Sequence, residues 1–354
     1  MSPKSLALFV IKNIMKTKNK LLALAILLSG CYGGTAADAQ SKAALHLIHT
    51  YKMGSNGGWD YLSTDHQNNR LYVSHGTQVN VLNETTGDAV GIISNTPGVH
   101  GIALVHSLNK GYTSNGKAGE CTVFDMKTLA ETSRIKVSEN PDAIFYDDWS
   151  KHIFVFNGHS MDVSVIDPAK DEVIATLPLG GKPETGVSDG KGLVYVNIED
   201  KNEVVCFSAK DLKVMKRFKL EGGEEPSGLA IDRKNARLYV GCANKVLLVL
   251  DAVSGKNIST VPIGDGCDGV VFDAKAKLIY SANGEGTLSI IKAISANKYE
   301  LLQTLKTAVG ARTLALDPIS QHLFLPTADF KPGAAEGKKR QLVEGTFRVM
   351  EFGK

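Results

Sequence analysis

The sequence predicts an all-β chain that closes into a seven-bladed β-propeller. Three observations carry that expectation. A motif recurs seven times at a spacing of about 42 residues. Each copy has the chemistry of short strands rather than helices. The N-terminal segment supplies the one strand that the last copy lacks.

The motif has two parts. The first is an apolar run with one aromatic, at Tyr72, Tyr112, Phe154, Tyr195, Tyr239, Tyr280 and Phe324. A turn acid stands six or seven positions earlier at Asp65, Asp147, Asp189, Asp232, Asp273 and Asp317, while the second copy has His106 near that slot. The second part is an apolar pair ending in a turn-former, as in Val81-Leu82-Asn83, Val123-Phe124-Asp125 and Val249-Leu250-Asp251. Runs such as Leu193-Val194-Tyr195-Val196-Asn197 are β-branched or aromatic and bounded by Gly, Asn, Asp and Pro. Four such strands per copy make a propeller blade. The last copy ends on Thr346 to Glu351, which reads as a third strand, and Leu45 to Tyr51 resembles a fourth. Their pairing would close the ring and remove two exposed sheet edges.

Residues 41–354 are therefore expected to form a single domain, and 1–40 a secretory leader. Lys16, Lys18 and Lys20 precede an apolar run from Leu21 to Leu28, which is too short to span a bilayer. Met15 is an alternative start. Leu28-Ser29-Gly30-Cys31 resembles a lipobox, with Cys31 as the lipidated residue. Ala37-Asp38-Ala39 before Gln40 fits ordinary signal cleavage. Both readings predict an exported protein, in the periplasm or anchored by lipid in a bacterial envelope.

The whole chain carries a formal charge of +3, and removing the five lysines before Gly30 leaves −2. That balance argues against general binding of nucleic acid. The basic group Lys331, Lys338, Lys339 and Arg340 falls in a long insertion of the last copy and reads as a solvated loop. Cys121 and Cys206 are expected to be buried thiols. Cys242 and Cys267 fall on loops of adjacent blades, where a disulfide would suit an oxidising compartment.

The phrases Arg70-Leu71-Tyr72-Val73-Ser74, Arg237-Leu238-Tyr239-Val240-Gly241 and Leu278-Ile279-Tyr280-Ser281-Ala282-Asn283 resemble the YVTN-type propeller repeat. From about Leu45 to Phe352 the chain is similar to exported YncE-like propellers. No copy spells the full consensus, and Leu193 to Asn197 lacks only the Thr. The resemblance implies architecture. Related propellers include binding proteins, lactone hydrolases and cofactor-bearing dehydrogenase subunits, so it does not choose a function.

The loops entering each inner strand are expected to surround one mouth of the central channel. They read Gly58-Trp59-Asp60, Val99-His100-Gly101, Pro141-Asp142-Ala143, Pro183-Glu184-Thr185-Gly186, Pro226-Ser227-Gly228, Cys267-Asp268-Gly269 and Ala311-Arg312-Thr313. This ring mixes acids, a base, an imidazole and an aromatic, the composition of a binding site rather than of a purely structural ring. His75 and His159, on the loops between second and third strands, are added as candidates. The Asn residues of Asn115-Gly116, Asn157-Gly158 and Asn283-Gly284 read as turn devices.

The chemistry stays open. Imidazole and carboxylates at His100, Asp142 and Asp268, with His75 or His159, would suit a divalent metal, yet no spacing is diagnostic. Folding requires no cofactor. There is no Gly-x-Ser-x-Gly elbow, no His-Glu-x-x-His and no Cys-x-x-Cys-His. The favoured reading is a monomeric module that binds a small polar ligand or an envelope protein at the mouth. The alternative is a lactonase-like, metal-assisted hydrolase using His100, Asp142, Glu184 and Arg312.

Overall fold

The computed structural model describes residues 45–332 and 340–354. The leader, Cys31 and both cleavage sites lie outside the described residues, as do Lys338 and Lys339.

Seven antiparallel sheets of four strands follow one another around an axis. In the first six blades, the strands are sequential from the inside outwards. The first blade runs Trp59–Asp65, Arg70–His75, Gln78–Asn83 and Ala89–Ile93. The seventh blade is assembled from both ends of the chain. Its inner strands are Ala315–Leu316, Leu323–Thr327 and Arg348–Gly353, and its outermost strand is His46–Lys52, paired antiparallel to Arg348–Gly353. The closure expected from the sequence is therefore present. Among the described residues, no helix is long and apolar enough to cross a membrane.

The recurring residues have clear physical roles. All seven motif aromatics are at most 2% exposed. They sit in the layers between blades, as Phe154 and Phe156 do against Val194 and Val196. Burying a side chain of this size contributes roughly 1.5–3 kcal/mol. The turn acids accept backbone N–H groups three residues on, as Asp65 does from Asn68 (3.2 Å) and Asp317 from Ser320 (2.9 Å). Several also brace the next blade. Ser188 donates to Asp147 (2.6 Å), and His106, in the odd slot of the second blade, lies 2.9 Å from Asp65. The Asn residues of the Asn-Gly pairs cross-link their own hairpins, as Asn157 does to Ser164 (2.9 Å).

Inner strands crowd near the axis, and small residues permit it. A Cβ on Gly228 would come within 2.9 Å of the Gly269 carbonyl carbon.

The disulfide between Cys242 and Cys267 does not form. All four described cysteines are buried and free. The Cys242 and Cys267 thiols point back to carbonyls of their own strands, Val240 (3.8 Å) and Gly269 (3.9 Å). Burial pushes both up to about 12, so they are inert thiols.

Candidate ligand site at the axial mouth

One local device aims the site residues. In each of the first six blades, the pairing between inner and second strand slips near the start. The slips fall between Trp59 and Leu62, Val99 and Ile102, Pro141 and Ile144, Pro183 and Gly186, Pro226 and Leu229, and Cys267 and Gly269. Asp60, His100, Asp142, Glu184, Ser227 and Asp268 all lie inside these slips. A β-bulge adds a residue to one strand and re-aims its side chain. Here it turns one side chain per blade into the channel.

The bulged backbone is pinned. Ser74 accepts from the Asp60 N–H (3.0 Å), and Thr313 of the last blade donates to the Asp60 carbonyl (2.6 Å). Ser114 accepts from the Gly101 N–H (2.8 Å) and donates to the Asp142 carbonyl. The bulged backbones of Asp60 and Asp142 are thus tied to neighbouring blades, which preorganises that side of the ring.

The side chains line a cavity of about 360 Å³. At one side stands a three-residue group. His100 Nδ1 is 2.6 Å from Asp60 Oδ2 and 3.6 Å from Asp142 Oδ1. The ligand-capable atoms of Asp60, His100 and Asp142 all lie within 4.8 Å of one another. Asp268 is fully engaged: Ser227 Oγ donates to one oxygen (2.5 Å) and Arg312 Nε to the other (2.5 Å). Lys182 bridges Glu184 (2.7 Å) and Glu199.

Carboxylates outnumber cations. Asp60, Asp142, Glu184, Glu199, Glu225 and Asp268 face Lys182, Arg312 and His100. Burial and the neighbouring charges hold Asp60 and Asp142 above the usual carboxylate range. Burial and Asp142 push Glu184 up to about 8, because its Lys182 partner is shared with Glu199. Burial draws the His100 imidazole down, but the Asp60 hydrogen bond and the charges of Asp142, Asp60 and Glu184 outweigh it and carry it up to about 9.

Seven of the expected residues meet in this cavity: Asp60, His100, Asp142, Glu184, Ser227, Asp268 and Arg312. Three do not line it. The Trp59 indole packs beside Phe347 (5.7 Å between ring centroids) and donates to the Gly310 carbonyl (3.2 Å), tying the first blade to the last. Two successive strand residues point to opposite faces, so Asp60 faces the axis and Trp59 does not. His75 is buried, stacked on Phe347 at 3.8 Å, with Ser55 at 2.9 Å. Its role is packing. His159 is exposed on its turn, outside the lining. Asp268, already paired, also drops out of the metal-capable set.

Three residues of the site, Tyr61, Lys182 and Glu225, carry no loop signature in the sequence. Tyr61 reaches from the first blade to the fourth, with its hydroxyl 3.4 Å from Thr185 Oγ1. Lys182 precedes its entering loop. The doubled polar and aromatic character of Asp60-Tyr61 at a strand start is the signal for Tyr61: both residues of a bulge face the same side.

Solved structures share the architecture. The chain is similar to Kuenenia stuttgartiensis hydrazine synthase, at 15% identity over 77% of this chain and 93% of that one, with a TM-score of 0.68. It is also similar to the RRP9 WD40 repeats, at 7% identity over 88% and 98% with a TM-score of 0.74. A third match is U3-55K, at 8% identity over 87% and 98% with a TM-score of 0.72. At these identities the likeness is one of fold. No protein-family model and no curated protein matches the chain.

Proposed function

We propose that the protein is an exported binding module whose axial mouth takes a small cationic ligand, with a divalent metal ion as the first choice. The observation that carries this reading is the group Asp60, His100 and Asp142. Its three ligand atoms lie within 4.8 Å of one another on the wall of an acid-rich cavity. One imidazole with two carboxylates suits a first-row divalent ion, which would displace the proton that His100 shares with Asp60. Buried carboxylates held above their ordinary range lack countercharge, and a cation would supply it. Export rests on the basic and apolar leader read from the sequence, and lipid anchoring on Cys31.

Calorimetric titration of the chain from Ser41 onward with Zn2+, Mn2+, Ca2+ and a short diamine tests the reading. Binding of at least one cation, weakened tenfold or more by Asp142→Asn, supports it. No binding of any probe would overturn it.

A second reading is favoured by one contact. Arg312 keeps its Nη groups beyond its Nε bond to Asp268 and lines the same cavity from the blade beside that of Asp60. A cation at Asp60, His100 and Asp142 with Arg312 beside it could hold a carboxylate-bearing lactone and activate water. Lactone turnover that depends on added metal, and disappears in His100→Ala, separates hydrolysis from binding alone.

A further inference from the structure

A second cluster lies at the other end of the inner strands. Asp60 and Asp65 are the near and far ends of the strand Trp59–Asp65, five residues and about 17 Å apart. Next to Asp65, His66 and Glu84 of the first blade meet Asp317 of the seventh. Their ligand-capable atoms lie within 4.8 Å of one another. His66 Nδ1 is 3.4 Å from Asp317 Oδ2, longer than the 2.9 Å contact between His106 and Asp65 one blade on.

Glu84 is out of pattern. Its backbone N–H bonds Asn69 (3.1 Å), just as Met126 bonds Asn109, Ala209 bonds Gly192, Ala252 bonds Ala236 and Ala293 bonds Lys277. Those four equivalents are buried and apolar. The first blade alone puts a carboxylate there, 6% exposed; its Oε2 has no donor and faces the Asp317 carboxylate. Two buried carboxylates side by side are costly unless a proton or a cation joins them. Where other blades place an apolar residue, this pair marks a place for a cation.

We propose that His66, Glu84 and Asp317 form a structural divalent-metal site that clasps the first blade to the seventh. Ligands on one tetrahedral zinc ion, each at about 2.0–2.2 Å, lie about 3.4 Å apart. Atoms now within 4.8 Å of one another would draw together around the ion, and the half-exposed His66 has the freedom to do so. One imidazole and two carboxylates favour Zn2+ over the all-oxygen preference of Ca2+ and Mg2+. The position has mechanical sense. The seventh blade is held by the pairing of chain ends, and a metal bridging it to the first blade would resist opening of the ring there. The site is independent of the mouth.

The test is Zn2+ titration of chelator-stripped chain from Ser41 onward, with thermal melts in parallel. The variants are His66→Ala, Glu84→Gln and, as the control for the mouth, His100→Ala. The His66 side chain is 53% exposed, so its removal leaves the fold intact. A Zn2+ site that survives His100→Ala, weakens at least tenfold when His66→Ala or Glu84→Gln is added to that variant, and raises the melting temperature of His100→Ala but not of His66→Ala/His100→Ala would support the clasp. Unchanged Zn2+ affinity on adding His66→Ala and Glu84→Gln to His100→Ala would overturn it. So would no Zn2+ binding beyond that lost in His100→Ala, which would leave Glu84 and Asp317 sharing a proton only.

Discussion

His100 of the second blade stands 2.6 Å from Asp60 of the first, and both residues occupy bulges at the start of their inner strands. The pair joins two blades at the axis. Truncating His100 leaves Asp60 and Asp142 facing each other without the imidazolium between them. His100→Ala is expected to destabilise the fold by about 2 kcal/mol at pH 7, measured by denaturant melts. A smaller loss in Asp60→Asn/His100→Ala than the sum of the single changes would show the coupling.

The mouth also sets a pH dependence. Glu184, carried up to about 8 by burial and Asp142, holds its proton in the native state while the unfolded chain has lost it. Its contribution is fully present below the unfolded value of 4.5 and is lost as pH rises through about 8. His100, raised from 6.5 to about 9, acts in the same direction: its contribution is complete below 6.5 and lost by about 9. Stability should therefore fall from pH 5 to pH 9. Glu184→Gln should melt higher than the parent at pH 9 and match it near pH 4. An equal gain at both pH values would contradict this.

Ring closure rests on Tyr51, whose hydroxyl donates to Glu351 (2.5 Å) and whose ring lies over Gly87. Tyr51→Ala should cost about 3–5 kcal/mol. Tyr51→Phe should cost about 1 kcal/mol, because Glu351 loses one hydrogen bond but keeps His49 (2.8 Å) on the same oxygen. Neither change should alter cation binding at the mouth.

Crowding at the axis makes Gly228 sensitive. An added methyl would meet backbone atoms of Gly269 and Val270 at 2.9 and 2.8 Å. Gly228→Ala should destabilise by about 1–3 kcal/mol, and thermal unfolding measures it.

The architecture was legible because it is written in repeated residues. The aromatic of the second strand performs one local task in all seven blades, the turn acid in six and the third-strand Asn or Asp in four, so the period survives single departures such as His106. The closing strand was legible because Leu45 to Tyr51 resembles fourth strands such as Val173 to Leu177. The mouth was legible in part. Position relative to the entering loop brought together Asp60, His100, Asp142 and Arg312, but the bulges that aim them are register effects between strands. Register is not encoded at any one residue, so Trp59 and Asp60 could not be separated, and the aromatic beside Asp60 was the one sign of Tyr61. His75 was misplaced because its turn neighbours gave no hint of Phe347, which lies 272 positions on in the chain. Cys242 and Cys267 share a neighbourhood, but thiol direction depends on side-chain geometry that loop position does not give.

The most direct test is the zinc-to-protein ratio of the chain from Ser41 onward, loaded with Zn2+ and freed of excess ion, in the parent, His66→Ala, His100→Ala and the double variant. The account expects about two ions, one, one and none. A ratio unchanged by His100→Ala would contradict the central claim that Asp60, His100 and Asp142 form a cation site at the mouth.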